Sequence, residues 1–305
     1  MKTPVILLLL AACTGPTEAP PPAPVEPEPV AAPEPPPEPE PEGITVPDSP
    51  EERAAELVRL EAAIRDDATS ADILESVGHL HQRIYRAIST DPDAVSAVRE
   101  HIPESLHPVF DLNVQGTRRS AHTVTRRRSD LPPWNIVQPP PAEELMGLYR
   151  GAAEEFSVPW EVLAGIHLVE TRMGRIRGTS HAGAQGPMQF MPATWEAYGE
   201  GDVTDYRDAI RGAAHYLSEM GASRDLDKAI WHYNHSDDYI AAVRSFADVM
   251  GQDPKAYRGY WGWQVYYQTT HGDIWLDSSY SATERTSVAE YCATVSHCPP
   301  SATAP

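Results

Sequence analysis

The chain is poor in basic residues and has no long apolar run. Its 305 residues include 24 Lys and Arg against 44 Asp and Glu, and the formal net charge is −20. Nucleic-acid binding depends on basic surface, so we expect no nucleic-acid partner and only local recognition of any acidic polymer. The apolar run Val5–Leu10 is far shorter than the roughly 20 residues that span a bilayer.

That short run has the form of an export signal. Met1-Lys2 supplies a positive charge before it, and Leu10-Ala11-Ala12-Cys13 after it resembles a bacterial lipobox. The resemblance implies a signal peptide at residues 1–12 and lipidation of Cys13. The alternative is an ordinary secretory signal with a chance cysteine. We expect a lipid-anchored envelope protein, placed by analogy on the periplasmic face of the outer membrane.

Residues 13–49 are predicted to form a disordered tether. From Thr14 to Val46 the chain is mostly Pro, Glu and Ala, with no Lys or Arg. Such a segment buries too little apolar surface to offset the entropy lost on ordering. In a polyproline conformation, at about 3.1 Å per residue, it reaches roughly 100 Å, a suitable spacer between a membrane and a cell wall.

Only three cysteines are present. Besides Cys13 they are Cys292 and Cys298, six residues apart in a tail at 281–305. An oxidising compartment favours a disulfide between them, and two free thiols are the alternative. No Cys and His spacing is typical of a metal site, so we expect neither metal nor cofactor.

Helical periodicity runs through the rest of the chain and predicts an all-α fold. We expect a smaller helical region at 50–131, including helices over Pro50–Arg86 and Asp93–Glu100, and a main helical domain at 132–280. In the main domain, the apolar stripes predict helices over 142–156, 160–170, 208–220, 226–233 and 239–250. The basic stretch Arg118–Arg119 and Arg126–Arg128 is interpreted as a solvated face or loop, or else as a contact for an anionic surface.

Glu170 is the candidate catalytic acid. It ends an apolar helix on which Leu163, Ile166 and His167 lie at helical spacing from it. Desolvation there should raise its pKa and keep it protonated near neutral pH, as protonation of a glycosidic oxygen requires. The alternative is a structural ion pair with Arg172 or Arg175.

Two later segments offer groups for a sugar site. The glycine-containing loop at 183–192 carries Met188, Gln189 and Phe190, which supply apolar contacts and one amide. Tyr233 and Asn234 end a later helix, and we expect the Tyr233 hydroxyl to meet Glu170. The alternative for Met188, Phe190 and Tyr233 is packing in the core.

No second carboxylate is an obvious partner for Glu170, although most glycosidases use two. Glu161 is nine residues earlier, on the opposite side of the helix. Five further carboxylates are candidates by residue type only, and they are interpreted as solvated loop residues or as charges at a helix start: Glu196, Glu200, Asp202, Asp205 and Asp208. A single carboxyl suits a route in which the sugar's own N-acetyl group and 6-hydroxyl act in its place.

The three segments together resemble lytic transglycosylases of the soluble-lytic-transglycosylase and goose-lysozyme type. They are Glu170-Thr171, Gly186-Pro187-Met188-Gln189 and His232-Tyr233-Asn234. The family has Ser, Leu and Ala where this chain has Thr171, Pro187 and His232. The resemblance implies a lysozyme-like fold and cleavage of the β-1,4 bond between N-acetylmuramic acid and N-acetylglucosamine of peptidoglycan.

By the same resemblance, Glu170 acts as acid and then as base and leaves 1,6-anhydro ends. The residues implied to line the sugar site are Thr171, Met188, Gln189, Phe190, Tyr233 and Asn234. Two alternatives stay open: a goose-lysozyme type hydrolase with an additional carboxyl, and a catalytically weak wall-binding lipoprotein. The C-terminal aromatics either extend the glycan groove or pack the flank: Tyr257, Tyr260, Trp261, Trp263, Tyr266, Tyr267 and Trp275.

Overall fold

The computed structural model describes residues 45–124 and 126–303. The predicted signal peptide at 1–12, the lipidation of Cys13 and the tether up to residue 44 lie outside the described residues. None of the described helices is long and apolar enough to cross a membrane.

Helices make up most of the described chain. In chain order they are α1 (Pro50–Arg65), α2 (Ala71–Ile88), α3 (Pro92–Arg99), α4 (His107–His122), α5 (Ala142–Phe156), α6 (Trp160–Thr171), α7 (Pro192–Tyr198), α8 (Tyr206–Glu219), α9 (Leu226–Tyr233), α10 (Asp237–Gln252), α11 (Tyr257–Trp261), α12 (Val288–Cys292) and α13 (Pro300–Thr303). The predicted helical character is confirmed.

Local side-chain hydrogen bonds set several helix ends. Ser49 and Glu52 form a reciprocal capping box before α1, and Pro50 occupies the first turn, where its missing N–H costs nothing. The stretch Pro50–Arg86, predicted as helical, is interrupted between α1 and α2. There the Asp66 carboxylate accepts the Ala68 N–H at 2.9 Å, a local turn that competes with the helix.

Helix α10 lies against both α4 and α6. Two glycines permit this close packing. A Cβ on Gly165 of α6 would lie 3.0 Å from the Val243 carbonyl oxygen, and one on Gly116 of α4 would lie 2.7 Å from a ring carbon of Phe246. The end of α6, where Glu170 lies, is therefore held by direct helix–helix contact to a fully buried face of α10.

Helix α4 was not predicted from the sequence. Its buried side chains include Phe110 and Val114, but polar residues interleave with them and weaken the apolar stripe. Arg118 and Arg119, interpreted as part of a solvated face or loop, lie on α4 and are partly exposed. Arg119 Nη1 lies 2.7 Å from Asp238 Oδ1 in the first turn of α10.

The N-terminal helices have a core of their own and also contact the later helices. Leu57, Leu60 and Ile84 are fully buried among α1–α4. Arg258 of α11 donates to the carbonyl oxygens of Ile64 and Thr69 at 3.2 and 2.9 Å. All described residues fall in one compact unit.

Short antiparallel strands accompany the helices, an element that periodicity did not predict. They are β1 (Asp130–Leu131), β2 (Asn135–Ile136), β3 (Ile176–Arg177), β4 (Val265–Thr269), β5 (Gly272–Leu276) and β6 (Thr286–Ser287). β4 and β5 form a hairpin in which Val265 faces Leu276 and Thr269 faces Gly272. β1 pairs with β6 and β2 with β3.

The hairpin packs in a small apolar cluster with the C-terminal residues. Val265, Ile274 and Leu276 are buried there with Leu131 of β1. Cys292 and Cys298 are joined by a disulfide at the edge of this cluster. The segment predicted as a tail is thus part of the fold around the hairpin.

Candidate active site

Glu170 is the second-last residue of α6 and lies partly buried at the wall of a cleft. Burial raises its pKa to about 7, although a hydrogen bond from Tyr239 and the charge of Arg172 oppose this. The carbonyl groups at the C-terminal end of α6 also disfavour a negative charge at this position. A substantial fraction of Glu170 is therefore protonated at neutral pH.

The structural ion pair considered for Glu170 does not form among the described residues. Arg172 Nη1 donates to carbonyl oxygens of its own helix, including Val169 at 3.4 Å. Instead, Arg175 Nη1 lies 3.2 Å from Glu75 Oε1, and Arg175 Nη2 donates to the Trp261 carbonyl oxygen at 3.1 Å. Glu170 is left with a hydroxyl as its polar partner.

That partner is Tyr239, not Tyr233 as expected from the sequence. The Tyr239 hydroxyl donates to Glu170 Oε1 at 2.7 Å from the first turn of α10. Tyr233 instead donates to the Met188 carbonyl oxygen at 2.7 Å. The prediction failed because Tyr239 belongs to the apolar stripe of its own helix and carries no local signal of a polar role.

Thr171 joins the end of α6 to the glycine-containing loop. Its hydroxyl donates to the Pro187 carbonyl oxygen at 2.6 Å and accepts the Gly174 N–H at 3.0 Å. Because the side chain is fully buried, it offers no surface to a sugar. Its expected role as a substrate contact is corrected to one of positioning the loop.

The loop at 183–192 folds back on itself. Gln185 and Phe190 exchange two backbone hydrogen bonds of 2.8 Å, which close a turn with Gly186 and Gln189 both at positive φ. The Gln189 amide donates to the Gly186 carbonyl oxygen at 2.9 Å, and its side chain remains partly exposed. Gln185 and Gln189 are partly exposed polar residues of this loop, and neither is among the residues that line the cleft at Glu170.

Met188 and Phe190 face inward. Met188 is fully buried and Phe190 is 2% exposed, both within the main core. The Phe190 ring packs against Trp195 and Tyr233 with centroids 5.2 and 5.9 Å apart. These two side chains were expected to contact a sugar. They pack in the core instead and thereby fix the loop.

Tyr233 and Asn234 lie where α9 ends. The Tyr233 hydroxyl is bound to Met188, so this residue ties α9 to the loop. Asn234 is the exposed C-cap residue and presents its amide to solvent. Of the predicted sugar-binding side chains, Gln189, Tyr233 and Asn234 therefore have accessible surface, and their sugar contacts stay a prediction.

The cleft next to Glu170 has a volume of about 200 Å³. Its walls come from α2, α4, the end of α6, the start of β3 and strand β4, which carries Tyr266 and Tyr267. Trp134, just before β2, and Trp263, just before β4, line it as well. Tyr257, Tyr260 and Trp261 are buried in the main core instead. Trp263 belongs to that core as well as to the cleft wall, and Trp275 lines a different cavity.

Other carboxylates do not meet Glu170. Among the described residues that line the cleft, Glu170 is the only acid. The acids of the loop before α8 have other partners: Glu200 pairs with Arg211, Asp202 accepts from Thr204 and Asp205 caps α8. In the part of the chain that the structure describes, no group of His, Cys, Asp and Glu is arranged to hold a metal ion.

Comparison with known protein families gives a match over part of the chain. Residues 147–244 match the family model of the transglycosylase SLT domain, which supports peptidoglycan lysis of the lytic-transglycosylase type and a lysozyme-like helical fold. The match includes Glu170, the loop, Tyr233, Asn234 and Tyr239. Neither the curated proteins nor the solved structures contain a significant match to this chain.

Proposed function

We propose that this chain is a peptidoglycan lytic transglycosylase that cleaves the β-1,4 bond between N-acetylmuramic acid and N-acetylglucosamine. The observation that carries the proposal is the state of Glu170. Its carboxyl is partly protonated at neutral pH, Tyr239 holds Oε1, and Oε2 takes no hydrogen bond from the described residues. A free carboxyl oxygen at the cleft wall is the arrangement that a general acid needs.

The reaction needs only this carboxyl and the substrate. The Glu170 proton passes to the glycosidic oxygen as the bond from that oxygen to the muramic acid C1 breaks, and the electron pair of the bond goes to the leaving oxygen. The N-acetyl oxygen of the muramic acid stabilises C1. Its 6-hydroxyl then attacks C1 and gives its proton to the Glu170 carboxylate, which restores the acid and leaves a 1,6-anhydro ring without consuming water.

The goose-lysozyme type hydrolase is the weaker alternative. An enzyme that activates water directly needs a base opposite the acid, roughly 6.5–9.5 Å away in inverting glycosidases. Glu161, the other carboxylate of α6, lies beside Gly251 of α10, with Oε1 at 3.6 Å from a Cβ built on that glycine. No acid among the described cleft residues supplies the base.

We place the enzyme in the cell envelope, anchored by lipid at Cys13, with the Pro- and Glu-rich segment as its spacer. An anchored enzyme on a long tether samples the wall at high local concentration without diffusing away. By analogy the anchor is in the outer membrane. Metabolic labelling with a radioactive fatty acid, comparing the parent with Cys13→Ala, tests this part separately from catalysis.

The test of the reaction is a digest of purified peptidoglycan with the full chain, analysed by mass spectrometry. We expect anhydro-muramyl ends from the parent, loss of product by at least about 100-fold in Glu170→Gln, and normal product from the matched variant Glu161→Gln. Reducing ends would establish the hydrolase instead. No product, with binding to peptidoglycan retained, would support the wall-binding lipoprotein.

A further inference from the structure

The cleft that holds Glu170 is also lined with arginine. Arg86 of α2, Arg126 of the loop after α4 and Arg172 after α6 all contribute to its wall. A smaller cavity adjoins it and shares Arg86, and it adds Arg127. Four arginines thus line two cavities that share part of their walls, in a chain whose net charge is −20.

These positive charges are only partly neutralised. Asp273 is the one acid of the adjoining cavity, and it pairs with Arg86. Arg126 and Arg127 are exposed and form no ion pair among the described residues. Arg172 uses its guanidinium on backbone carbonyls, and Glu170 is only partly ionised at neutral pH. These two cavities therefore attract anions.

In the described part of the chain, a buried hydroxyl without a hydrogen-bond partner belongs to a residue that lines both cavities. Thr117 of α4 lines both cavities and is 6% exposed, and its Oγ1 has no hydrogen-bond partner among the described residues. An unsatisfied buried hydroxyl costs free energy in the unliganded protein, which a ligand oxygen would recover. The cleft wall therefore combines cationic groups with neutral polar side chains, among them Ser120, Thr123 and Gln268.

Resting on the proposed function, we infer that this arginine-lined part of the cleft binds carboxylates of the peptide stem attached to N-acetylmuramic acid. When the scissile bond is at Glu170, the lactyl group of that sugar carries its peptide away from the sugar ring within the same cleft. Guanidinium groups match carboxylates in bidentate geometry. The stem of peptidoglycan is an acidic peptide, so the enzyme should select peptide-bearing strands over bare glycan.

The carboxylate that the arginines would bind has a second source in the substrate. When the peptide is removed by an amidase, the lactyl group itself carries a free carboxylate. A pocket built for that carboxylate would bind the peptide-free strands at least as tightly as the natural ones. The two cases are therefore distinguished by comparing peptide-bearing oligosaccharides with amidase-treated ones of the same length.

Binding is measured in the full chain carrying Glu170→Gln, so that no cleavage intervenes, by isothermal titration with soluble oligosaccharides. We expect the peptide-bearing ligand to bind roughly 5- to 10-fold more tightly than the peptide-free one, as one or two charge-assisted hydrogen bonds allow. Adding Arg126→Glu should weaken binding of the peptide-bearing ligand and so remove this difference. Arg207→Glu, on the exposed first turn of α8, is the matched charge control.

Thr117→Val gives a second variant that separates a ligand role from a structural one. It removes a hydroxyl that has no partner, so the thermal stability of the unliganded protein should stay the same or rise. Binding of the peptide-bearing ligand alone should weaken by about 3-fold or more. Equal affinity for the two ligands, or tighter binding of the peptide-free one, would overturn the inference even if the products establish a transglycosylase.

Discussion

The hydroxyl of Tyr239 donates a hydrogen bond of 2.7 Å to Oε1 of Glu170, across 69 residues of sequence. This bond stabilises the charged form of the carboxyl, whereas burial disfavours it more strongly, and the pKa settles at about 7. Tyr239 is itself buried in α10, so the bond also fixes the orientation of the acid. The two effects can be separated by substitution.

Tyr239→Phe should shift the basic limb of the pH–activity profile upward. Loss of the hydrogen bond removes a group that favours the carboxylate, so the pKa of Glu170 rises and the acid stays protonated to higher pH. We expect a shift of roughly 0.5–1 pH unit, together with a lower maximal rate because the carboxyl is less well oriented. The profile is recorded with soluble glycan strands between pH 5 and 9.

Tyr233→Phe is the matched control for that experiment. Its hydroxyl donates to the Met188 carbonyl oxygen and not to Glu170, so its loss should loosen the loop and raise KM. The basic limb should move much less than in Tyr239→Phe. If both variants shift the limb equally, or if neither does, the Tyr239 hydrogen bond does not set the pKa of the acid.

Glu170→Gln should stabilise the protein, and the gain should depend on pH. The folded pKa of about 7 lies above the ordinary value of 4.5, so the native carboxyl keeps its proton while the unfolded one loses it between these pH values. The parent therefore loses stability as pH rises from about 4.5 to 7, and the glutamine variant does not. The difference above pH 7 should approach an upper bound on the order of 3 kcal/mol, which partial exposure reduces.

Denaturant unfolding at pH 4.5 and pH 8 measures this difference. Glu161→Gln, on the same helix, should not reproduce the pH-dependent gain. The free energies of unfolding of the parent and of Glu170→Gln are compared at each pH. If they differ by the same amount at both pH values, the native carboxyl is not desolvated.

The position of the acid was predictable from the sequence because its cause is local. Glu170 lies at the end of an apolar helix and precedes a turn, and both features can be recognised within about ten residues. Its hydrogen-bond partner was not predictable, since Tyr239 reaches it only after α6 and α10 pack together. The inward orientation of Met188 and Phe190 is likewise a result of tertiary packing, which residue type alone does not reveal.

The cleft as a whole was the least predictable feature. Its walls combine α2 and α4 from the region 50–131 with the β4–β5 hairpin, and these lie far apart in sequence. Helix α4 was missed because its buried face is interrupted by polar residues such as Asn113, which accepts a hydrogen bond from Tyr260 at 2.6 Å. Such a buried polar pair can be recognised only once both partners are in place.

Thr171→Val should impair the loop, whereas Thr171→Ser should be tolerated. Valine removes the hydroxyl that joins Pro187 to Gly174 and leaves a buried carbonyl and N–H unpaired, at a cost of about 1–3 kcal/mol. Serine keeps both hydrogen bonds and loses only a methyl group. Thermal unfolding and turnover are measured for both, and a serine variant as impaired as the valine variant would mean that packing, not the hydroxyl, matters at this position.

Gly186→Ala should be far more damaging than Gly183→Ala, although both residues have positive φ, 72° and 89°. A Cβ at Gly183 meets no atom within 4 Å, so alanine there adds only left-handed backbone strain, about 1–2 kcal/mol. A Cβ at Gly186 would lie 1.9 Å from the Val203 carbonyl oxygen, so the loop must move away from the chain that precedes α8. Because Gln189 and the Thr171–Pro187 contact move with it, turnover should fall as well as stability. Equal melting temperatures and equal rates for the two variants would show that the loop accommodates the added methyl group without displacing the site.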